Sequence, residues 1–185
     1  MTTILGISGS LRRGSFNSSL LRAAAELAPP GTSIEIASIR DIPLYDGDLE
    51  AESGIPASVS ALRERIAGAG ALLLATPEYN SSVPGVLKNT IDWLSRPATD
   101  VPPLFRDLPV ALMGATPGGA GTMLAQAAWL PVFRGLNARS WFGPRLMVSG
   151  AGKVFDAEGR LTDEGIKKQL QSFVAGFAEF IQHAK

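Results

Sequence analysis

Three loops of the chain carry residue types that bind phosphates and flat rings. They are residues 9–17 (GSLRRGSFN), 76–85 (TPEYNSSVPG) and 114–121 (GATPGGAG). Each is rich in glycine, proline or hydroxyl side chains, and each immediately precedes a stretch with helical character. Free N–H groups at a helix start, together with hydroxyls and guanidinium groups, bind anions. These loops are therefore the candidate ligand-binding segments.

The first loop has the Gly-x-x-x-x-Gly spacing of a P-loop at Gly9 and Gly14. A P-loop continues with Lys and then Ser or Thr, which hold the outer phosphates and Mg²⁺, whereas this chain has Ser15 and Phe16. Triphosphate hydrolysis is therefore disfavoured. The turn also lacks Gly-x-Gly-x-x-Gly, which argues against a Rossmann-type NAD site. The guanidinium of Arg12 and the polar side chains around the helix start instead suit one terminal phosphate, as in a mononucleotide. Those side chains are Ser10, Ser15, Asn17 and Ser18.

A simpler role is open to Ser15 and Asn17, because such residues commonly cap helices or form turns. The adjacent Arg12 and Arg13 favour an anion, since two cations beside free helix N–H groups repel each other unless an anion lies between them.

The second loop has little backbone freedom, because Pro77 and Pro84 flank its central residues. It offers an aromatic ring at Tyr79 and an amide at Asn80, so it could present hydrogen-bonding groups to the edge of a flat heterocycle. A packed loop aromatic remains the alternative for Tyr79. Glu78 could be a surface carboxylate, and no acid–base role is assigned to it.

Alternating strands and helices position these loops. Residues 4–8, 69–75 and 109–114 are apolar runs typical of parallel strands covered on both faces. Residues 33–38 alternate as a partly exposed strand does, and a fifth strand is expected within 140–148. Helical periodicity separates the strands. Five strands alternating with five helices predict an α/β sheet with helices on both faces, whose ligands bind beyond the carboxyl ends of the strands.

Composition excludes several classes of protein. A chain of 185 residues without a linker is expected to form one domain, residues 1–185. It has no Cys and one His, His183, which excludes thiol nucleophiles and Cys- or His-based metal sites, so no metal is expected. Seventeen basic and seventeen acidic residues argue against nucleic-acid binding. No apolar run approaches the ~20 residues of a membrane span. The N-terminal charges follow the apolar stretch, the reverse of a secretory signal, so a cytoplasmic protein is expected.

At its three loops the sequence resembles the NAD(P)H-dependent FMN reductase family, which includes quinone, azo-dye and chromate reductases. The phrases that carry the resemblance are residues 9–17, 43–46 (PLYD), 76–80 (TPEYN) and 83–95 (VPGVLKNTIDWLS). The resemblance implies a flavodoxin-like three-layer sandwich, with a five-stranded parallel sheet in the order 2-1-3-4-5. It also implies that hydride passes from NAD(P)H to bound FMN and on to a quinone, azo compound, free flavin or metal oxyanion.

The same resemblance assigns sites residue by residue. It places the FMN phosphate at Ser10, Arg12, Ser15, Phe16 and Asn17. It places the ring on Pro77, Glu78, Tyr79 and Asn80, with Ala115 and Thr116 at the far edge. No catalytic side chain is expected, because the flavin carries the chemistry. A homodimer or homotetramer is implied, with residues 43–46 and the third predicted helix near a neighbouring subunit's flavin. Ala115 and the Gly118-Gly119 pair depart from the Ser-rich form of chromate reducers, which leaves the acceptor open.

Two other functions stay open at this point. A flavodoxin-type electron carrier would share the fold, although such carriers are typically acidic and this chain is neutral. A non-catalytic mononucleotide-binding module is the other. A serine hydrolase is remote, because the sequence GISGS around Ser8 lacks the final Gly of a nucleophile elbow.

Several further residues are expected to be structural. Trp93 and Trp129 are expected in the core or at a subunit contact. Lys88 and Asp92 are expected to form a solvated pair, and the acidic residues within 46–50 a solvated turn.

Overall fold

A computed structural model describes residues 1–183, in which a parallel β-sheet carries helices on both faces. The strands are β1 (Thr2–Ser8), β2 (Thr32–Ala37), β3 (Ala71–Ala75), β4 (Pro109–Ala115), β5 (Arg139–Ser140) and β6 (Leu146–Val148). The sheet order is β2-β1-β3-β4-β5, and β6 also pairs with β4. Every ladder is parallel. The predicted order is confirmed, with one small strand added.

The helices are more numerous than the five predicted. They are α1 (Phe16–Glu26), α2 (Gly47–Ser53), α3 (Ala57–Gly68), α4 (Gly85–Leu94), α5 (Val101–Phe105), α6 (Met123–Gly135) and α7 (Glu164–Gln182). A turn was expected where α2 begins. The Asp46 side chain accepts a hydrogen bond from the Asp48 N–H at 2.9 Å and so caps this helix. Pro131 lies inside α6, which continues through it.

The fifth strand position is occupied by two short segments. β5 pairs with the first residues of β4, and β6 pairs with its last three, so that Val148 lies opposite Ala115. Between them the ring of Trp141 packs edge-on against Phe173 of α7, with centroids 5.0 Å apart. The single strand predicted within 140–148 is therefore in the right place but is interrupted.

Each face of the sheet has its own apolar core. One core joins the sheet to α1 and α7, and the other joins it to α3, α4, α5 and α6. β3 contributes alternately to both: Leu73 faces the first core, while Leu72 and Leu74 face the second. All residues of β3 are at most 1% exposed, which confirms a strand covered on both faces. Trp93 and Trp129 are fully buried in the second core.

Within residues 1–183, none of the helices combines the length and the apolar character needed to cross a bilayer.

Candidate functional site

The first and second loops leave neighbouring strands and contact each other at the carboxyl edge of the sheet. The Gly9 N–H donates to the carbonyl of Ala75 at 2.9 Å, and the Thr76 N–H donates to Met113 at 2.8 Å. A Cβ on Gly9 would lie 2.9 Å from Pro77 and 3.0 Å from Pro84. Glycine is therefore required at position 9 for the two loops to pack together.

The start of α1 offers free donors to an anion. Ser15 caps the helix, and its hydroxyl accepts from the Ser18 N–H at 3.3 Å. Among the described residues, no acceptor meets the backbone N–H groups of Phe16 and Asn17. Helix N-termini carry partial positive charge and attract anions. Of the two candidate caps, Ser15 and Asn17, the structure confirms Ser15, and two backbone N–H groups remain for a ligand.

Arg12 lies beside these donors. Its guanidinium carbon is 5.6 Å from the ring centroid of Phe16, and the side chain is exposed. Within the described part of the chain, Arg12 has no carboxylate partner. An unpaired guanidinium next to two free helix N–H groups fits a single phosphate ester such as that of FMN.

Some predicted phosphate ligands already have partners inside the protein. The hydroxyl of Ser18 bonds to that of Ser8 at 2.9 Å. The hydroxyl of Ser10 accepts from the Arg12 N–H at 3.4 Å, which turns the loop. Both Ser10 and Ser15 retain a hydroxyl proton to donate.

The Asn17 side chain joins the first loop to the third. It donates to the carbonyl of Ala115 and accepts from the N–H of Ala115, both at 2.9 Å. Asn17 is only 4% exposed. The amide therefore positions the two loops. A phosphate contact from Asn17 stays a prediction, and its backbone N–H has no acceptor among the described residues.

The second loop contains a tight hairpin. Tyr79 and Ser82 exchange backbone hydrogen bonds of 3.1 and 3.0 Å around Asn80 and Ser81. Both central residues have positive φ, 50° and 60°, as a type I′ turn requires. Tyr79 is 48% exposed, so it is not a packed loop aromatic. The hairpin thus presents Tyr79 and Asn80 outward at the edge of the site.

Glu78 is not a free surface carboxylate. Its Oε2 accepts from the N–H groups of Leu124 and Ala125, at 2.8 and 3.2 Å, at the start of α6. The residue in the N-cap position, Thr122, makes no side-chain cap. Glu78 therefore ties the second loop to the helix that follows the third loop, a role that sequence reasoning missed.

The third loop is fixed by close packing at Gly114 and by hydrogen bonds from its neighbours. A Cβ on Gly114 would lie 1.9 Å from Oγ1 of Thr122 and 2.5 Å from the carbonyl oxygen of Thr76. The indole N–H of Trp129 donates to Oγ1 of Thr76 at 3.1 Å. The N–H of Thr116 donates to Val148 of β6 at 2.9 Å. The short strand β6 therefore anchors the loop that carries Ala115 and Thr116.

Residues 43–46 are fixed on α4. The carbonyl of Pro43 accepts from the Asn89 amide at 2.8 Å and from the Trp93 indole at 2.9 Å. Asn89 also accepts from the Tyr45 N–H at 2.8 Å. Leu44 remains 81% exposed at the tip of this loop. An apolar side chain is thus held rigidly in solvent.

Glu50, which sequence analysis assigned to a solvated turn, instead forms an ion pair that supports the same loop. The Arg96 guanidinium donates to Glu50 at 2.9 Å, and this hydrogen bond lowers the pKa of the Glu50 carboxyl. The Tyr45 hydroxyl donates to Glu50 at 3.0 Å, which raises the pKa of the phenol. The 43–46 phrase and the acidic residues within 46–50 were the sequence signals for this cluster, and neither pointed to Arg96. By contrast, Lys88 and Asp92 form the expected exposed pair at 2.7 Å.

Known proteins resemble the chain along most of its length. A family model for NADPH-dependent FMN reductases matches residues 2–153. An NAD(P)H-dependent FMN reductase of Pseudomonas aeruginosa is 48% identical over 91% of this chain and 89% of its own. A quinone reductase of Escherichia coli is 39% identical over 98% of this chain and 96% of its own.

A solved structure has the same fold. The flavoenzyme NAD(P)H:(acceptor) oxidoreductase FerB of Paracoccus denitrificans superimposes with a TM-score of 0.88 and 34% identity, over 100% of this chain and 99% of its own. The chain therefore belongs to the NADPH-dependent FMN reductase family and is an FMN-dependent oxidoreductase that uses NAD(P)H.

Proposed function

We propose that the protein reduces small quinones with electrons from NAD(P)H, using FMN held by the three loops. The observation that carries the FMN part of the proposal is the start of α1, where within residues 1–183 the N–H groups of Phe16 and Asn17 meet no acceptor and the Arg12 guanidinium has no carboxylate partner. Bound FMN supplies the redox chemistry, accepting electrons from the nicotinamide and passing them to the acceptor.

The chain binds and orients the reactants. Arg12 and the helix N–H groups would neutralise the phosphate, and the hydroxyls of Ser10 and Ser15 would donate to it. The second and third loops hold the ring through residues 77–80, Ala115 and Thr116. Asn17 and Glu78 fix the spacing of the three loops, because each spans two of them. No side chain is assigned a proton transfer.

A quinone is favoured as the acceptor because relatives over nearly the full chain, from Escherichia coli and Pseudomonas putida, are named quinone reductases. Azo compounds, free flavins and metal oxyanions stay as further candidates. The neutral balance of seventeen basic and seventeen acidic residues supports an enzyme over an acidic electron carrier.

We also propose that the protein forms a homodimer or homotetramer and that it works in the cytoplasm. The exposed Leu44, mounted on α4 through Pro43, supports a subunit contact at this loop.

A visible spectrum of the purified protein, taken before and after anaerobic NADPH and again after 1,4-benzoquinone, tests the function. We expect a yellow protein that bleaches with NADPH and regains its colour with the quinone. Bleaching without reoxidation by the quinone contradicts the acceptor class. Slow or absent bleaching with NADPH supports an electron carrier, and a colourless protein that does not retain added FMN supports a binding module.

Arg12→Ala tests the phosphate assignment. Each charge-assisted hydrogen bond contributes about 1.5–3 kcal/mol, so FMN affinity should fall roughly ten- to hundredfold. Arg106→Ala is the matched control, because Arg106 is exposed and precedes β4 at the opposite edge of the sheet. Equal FMN affinity in both variants would overturn the assignment.

A further inference from the structure

A cavity of about 170 Å³ opens at the sheet edge where the fifth strand position is interrupted. β5 ends opposite Val110 and β6 begins opposite Met113, so Leu112 has no strand neighbour on this side of β4. The walls come from β4, β6, α6, α7 and residues 141–145, and they include Leu112, Ala127, Met147 and Phe173. We call it the edge cavity. None of the residues assigned to FMN lines it.

One wall of the edge cavity is an aromatic ring held in a fixed position. The indole of Trp141 lies edge-on to Phe173, with centroids 5.0 Å apart. A Cβ on Gly143 would lie 2.1 Å from Cζ2 of Trp141, and a Cβ on Gly176 would lie 3.1 Å from the same atom. The two glycines thus let the backbone pack directly against the indole. A ring that is fixed before binding can receive a second ring at a smaller entropic cost.

The edge cavity also contains a hydrogen-bond acceptor without a donor. Gln126 lines the cavity and is only 7% exposed. Its Nε2 donates to Oγ1 of Thr122 at 3.2 Å and to the carbonyl of Leu146 at 3.1 Å. Because a carbonyl can only accept, the amide nitrogen must face Leu146, and Oε1 faces the other way. Within residues 1–183 no donor meets Oε1.

This Oε1 atom is not sealed inside the protein. Among residues 1–183, the side-chain atoms that are both buried and unpartnered are nitrogens of Arg63 and Arg139. Oε1 of Gln126 is unpartnered but is not one of them, so it keeps accessible surface. That surface opens into the cavity that Gln126 lines. A ligand there can therefore donate a hydrogen bond to Oε1.

A cation lies at the mouth of the edge cavity. Arg145 lines the cavity and is exposed. Its guanidinium has no carboxylate partner within residues 1–183. Guanidinium groups bind carboxylates through two parallel hydrogen bonds. A bound molecule therefore meets an acceptor at its inner end, at Gln126, and a cation at its outer end.

The volume restricts the occupant to a single ring. An engineered apolar cavity of about 150 Å³ binds benzene, whereas sites for larger ligands occupy about 300–1,000 Å³. We propose that the edge cavity binds a single-ring phenolic acid of the 4-hydroxybenzoate type. The phenol O–H donates to Oε1 of Gln126, the ring packs on Trp141, and the carboxylate pairs with Arg145. This is a second small-molecule site, separate from the three loops.

Calorimetry on the FMN-saturated protein tests the two polar contacts. The ligands are 4-hydroxybenzoate, benzoate, which lacks the donor, and phenol, which lacks the carboxylate. We expect 4-hydroxybenzoate to bind at least tenfold more tightly than either of the other two. Arg145→Ala should remove its advantage over phenol, and Gln126→Leu should remove its advantage over benzoate. Each ratio compares ligands on one variant, so a general loss of stability does not change it.

Filling the edge cavity tests its location. Ala127 is an exposed residue of α6 that lines the cavity, so Ala127→Phe should block it and weaken 4-hydroxybenzoate at least tenfold. Ala67→Phe is the matched control, because Ala67 is an exposed residue of α3 outside the cavity.

Equal affinities for the three ligands in the wild-type protein, or unchanged binding in Ala127→Phe, overturn the proposal. Binding that survives Ala127→Phe and competes with 1,4-benzoquinone would place the phenolic acid at the flavin instead. Because no residue assigned to FMN lines the edge cavity, failure of quinone reduction would contradict the proposed function and leave this binding result unchanged.

Discussion

Replacing Asn17 by alanine should separate the first loop from the third. The amide makes two hydrogen bonds of 2.9 Å to the backbone of Ala115, one as donor and one as acceptor. Both residues are buried, at 4% and 3% exposure. The substitution leaves the N–H and the carbonyl of Ala115 without a partner in a place where water has little access.

The loss in the free energy of unfolding follows from the number of backbone groups left without a hydrogen-bond partner. A buried donor or acceptor left unsatisfied costs about 1–3 kcal/mol. Two such groups give a destabilisation of about 2–6 kcal/mol, and partial entry of water favours the lower end. With a urea dependence of about 2 kcal/mol per molar, the unfolding midpoint should fall by about 1 M or more.

Urea unfolding of the FMN-free protein, followed by the fluorescence of its three tryptophans, measures this effect apart from ligand binding. Gln171→Ala is the matched control, because it removes an exposed amide from α7. FMN titration of the same variants should show weaker binding for Asn17→Ala only. If the midpoint of Asn17→Ala moves no further than that of the control, the amide does not hold the loops together.

Two further predictions follow from the site. Gly114→Ala should destabilise the protein by about 1–3 kcal/mol or more, because its Cβ would overlap buried atoms at 1.9 and 2.5 Å. In the same urea assay Gly68→Ala, with open space around its Cβ, should change the midpoint little, and similar midpoints for both would refute the packing argument. Glu50 has a lowered pKa in the folded state, chiefly through its hydrogen bond from Arg96. Its contribution to stability is therefore present above the ordinary carboxyl pKa of 4.5 and is lost as the pH falls through the lower folded value. Thermal melts between about pH 5 and pH 3 should thus show a steeper acid loss for wild type than for Glu50→Gln, and parallel losses would contradict this.

The sheet and its loops could be predicted because their signals are local. The apolar run at β3 and the glycine- and hydroxyl-rich loop before α1 are each readable within ten residues. The cap at Asp46 is a local signal as well, and α2 could have been predicted from it. The two residues of β5 are too few to carry a strand pattern, so the interruption near Trp141 was not predictable.

The contacts that fix the site could not be predicted, because they join distant parts of the chain. Asn17 and Ala115 are 98 positions apart, and Glu78 and Leu124 are 46 apart. The sequence marks Asn17 and Glu78 as polar residues near a ligand, but their side chains bond to backbone groups whose positions only the folded chain defines. Residue type and the family resemblance pointed to ligand contacts for both residues, but neither could show these bonds to the backbone.

The sheet divides the apolar interior into two cores, and this limits how far the effect of a substitution spreads. Side chains beneath α1 and α7 share few neighbours with those beneath α3, α4 and α6. Substitutions on opposite sides should therefore combine additively in their free energies. Variation in the core beneath α4 should therefore leave intact the packing beneath α1, the helix that we propose to bind the FMN phosphate.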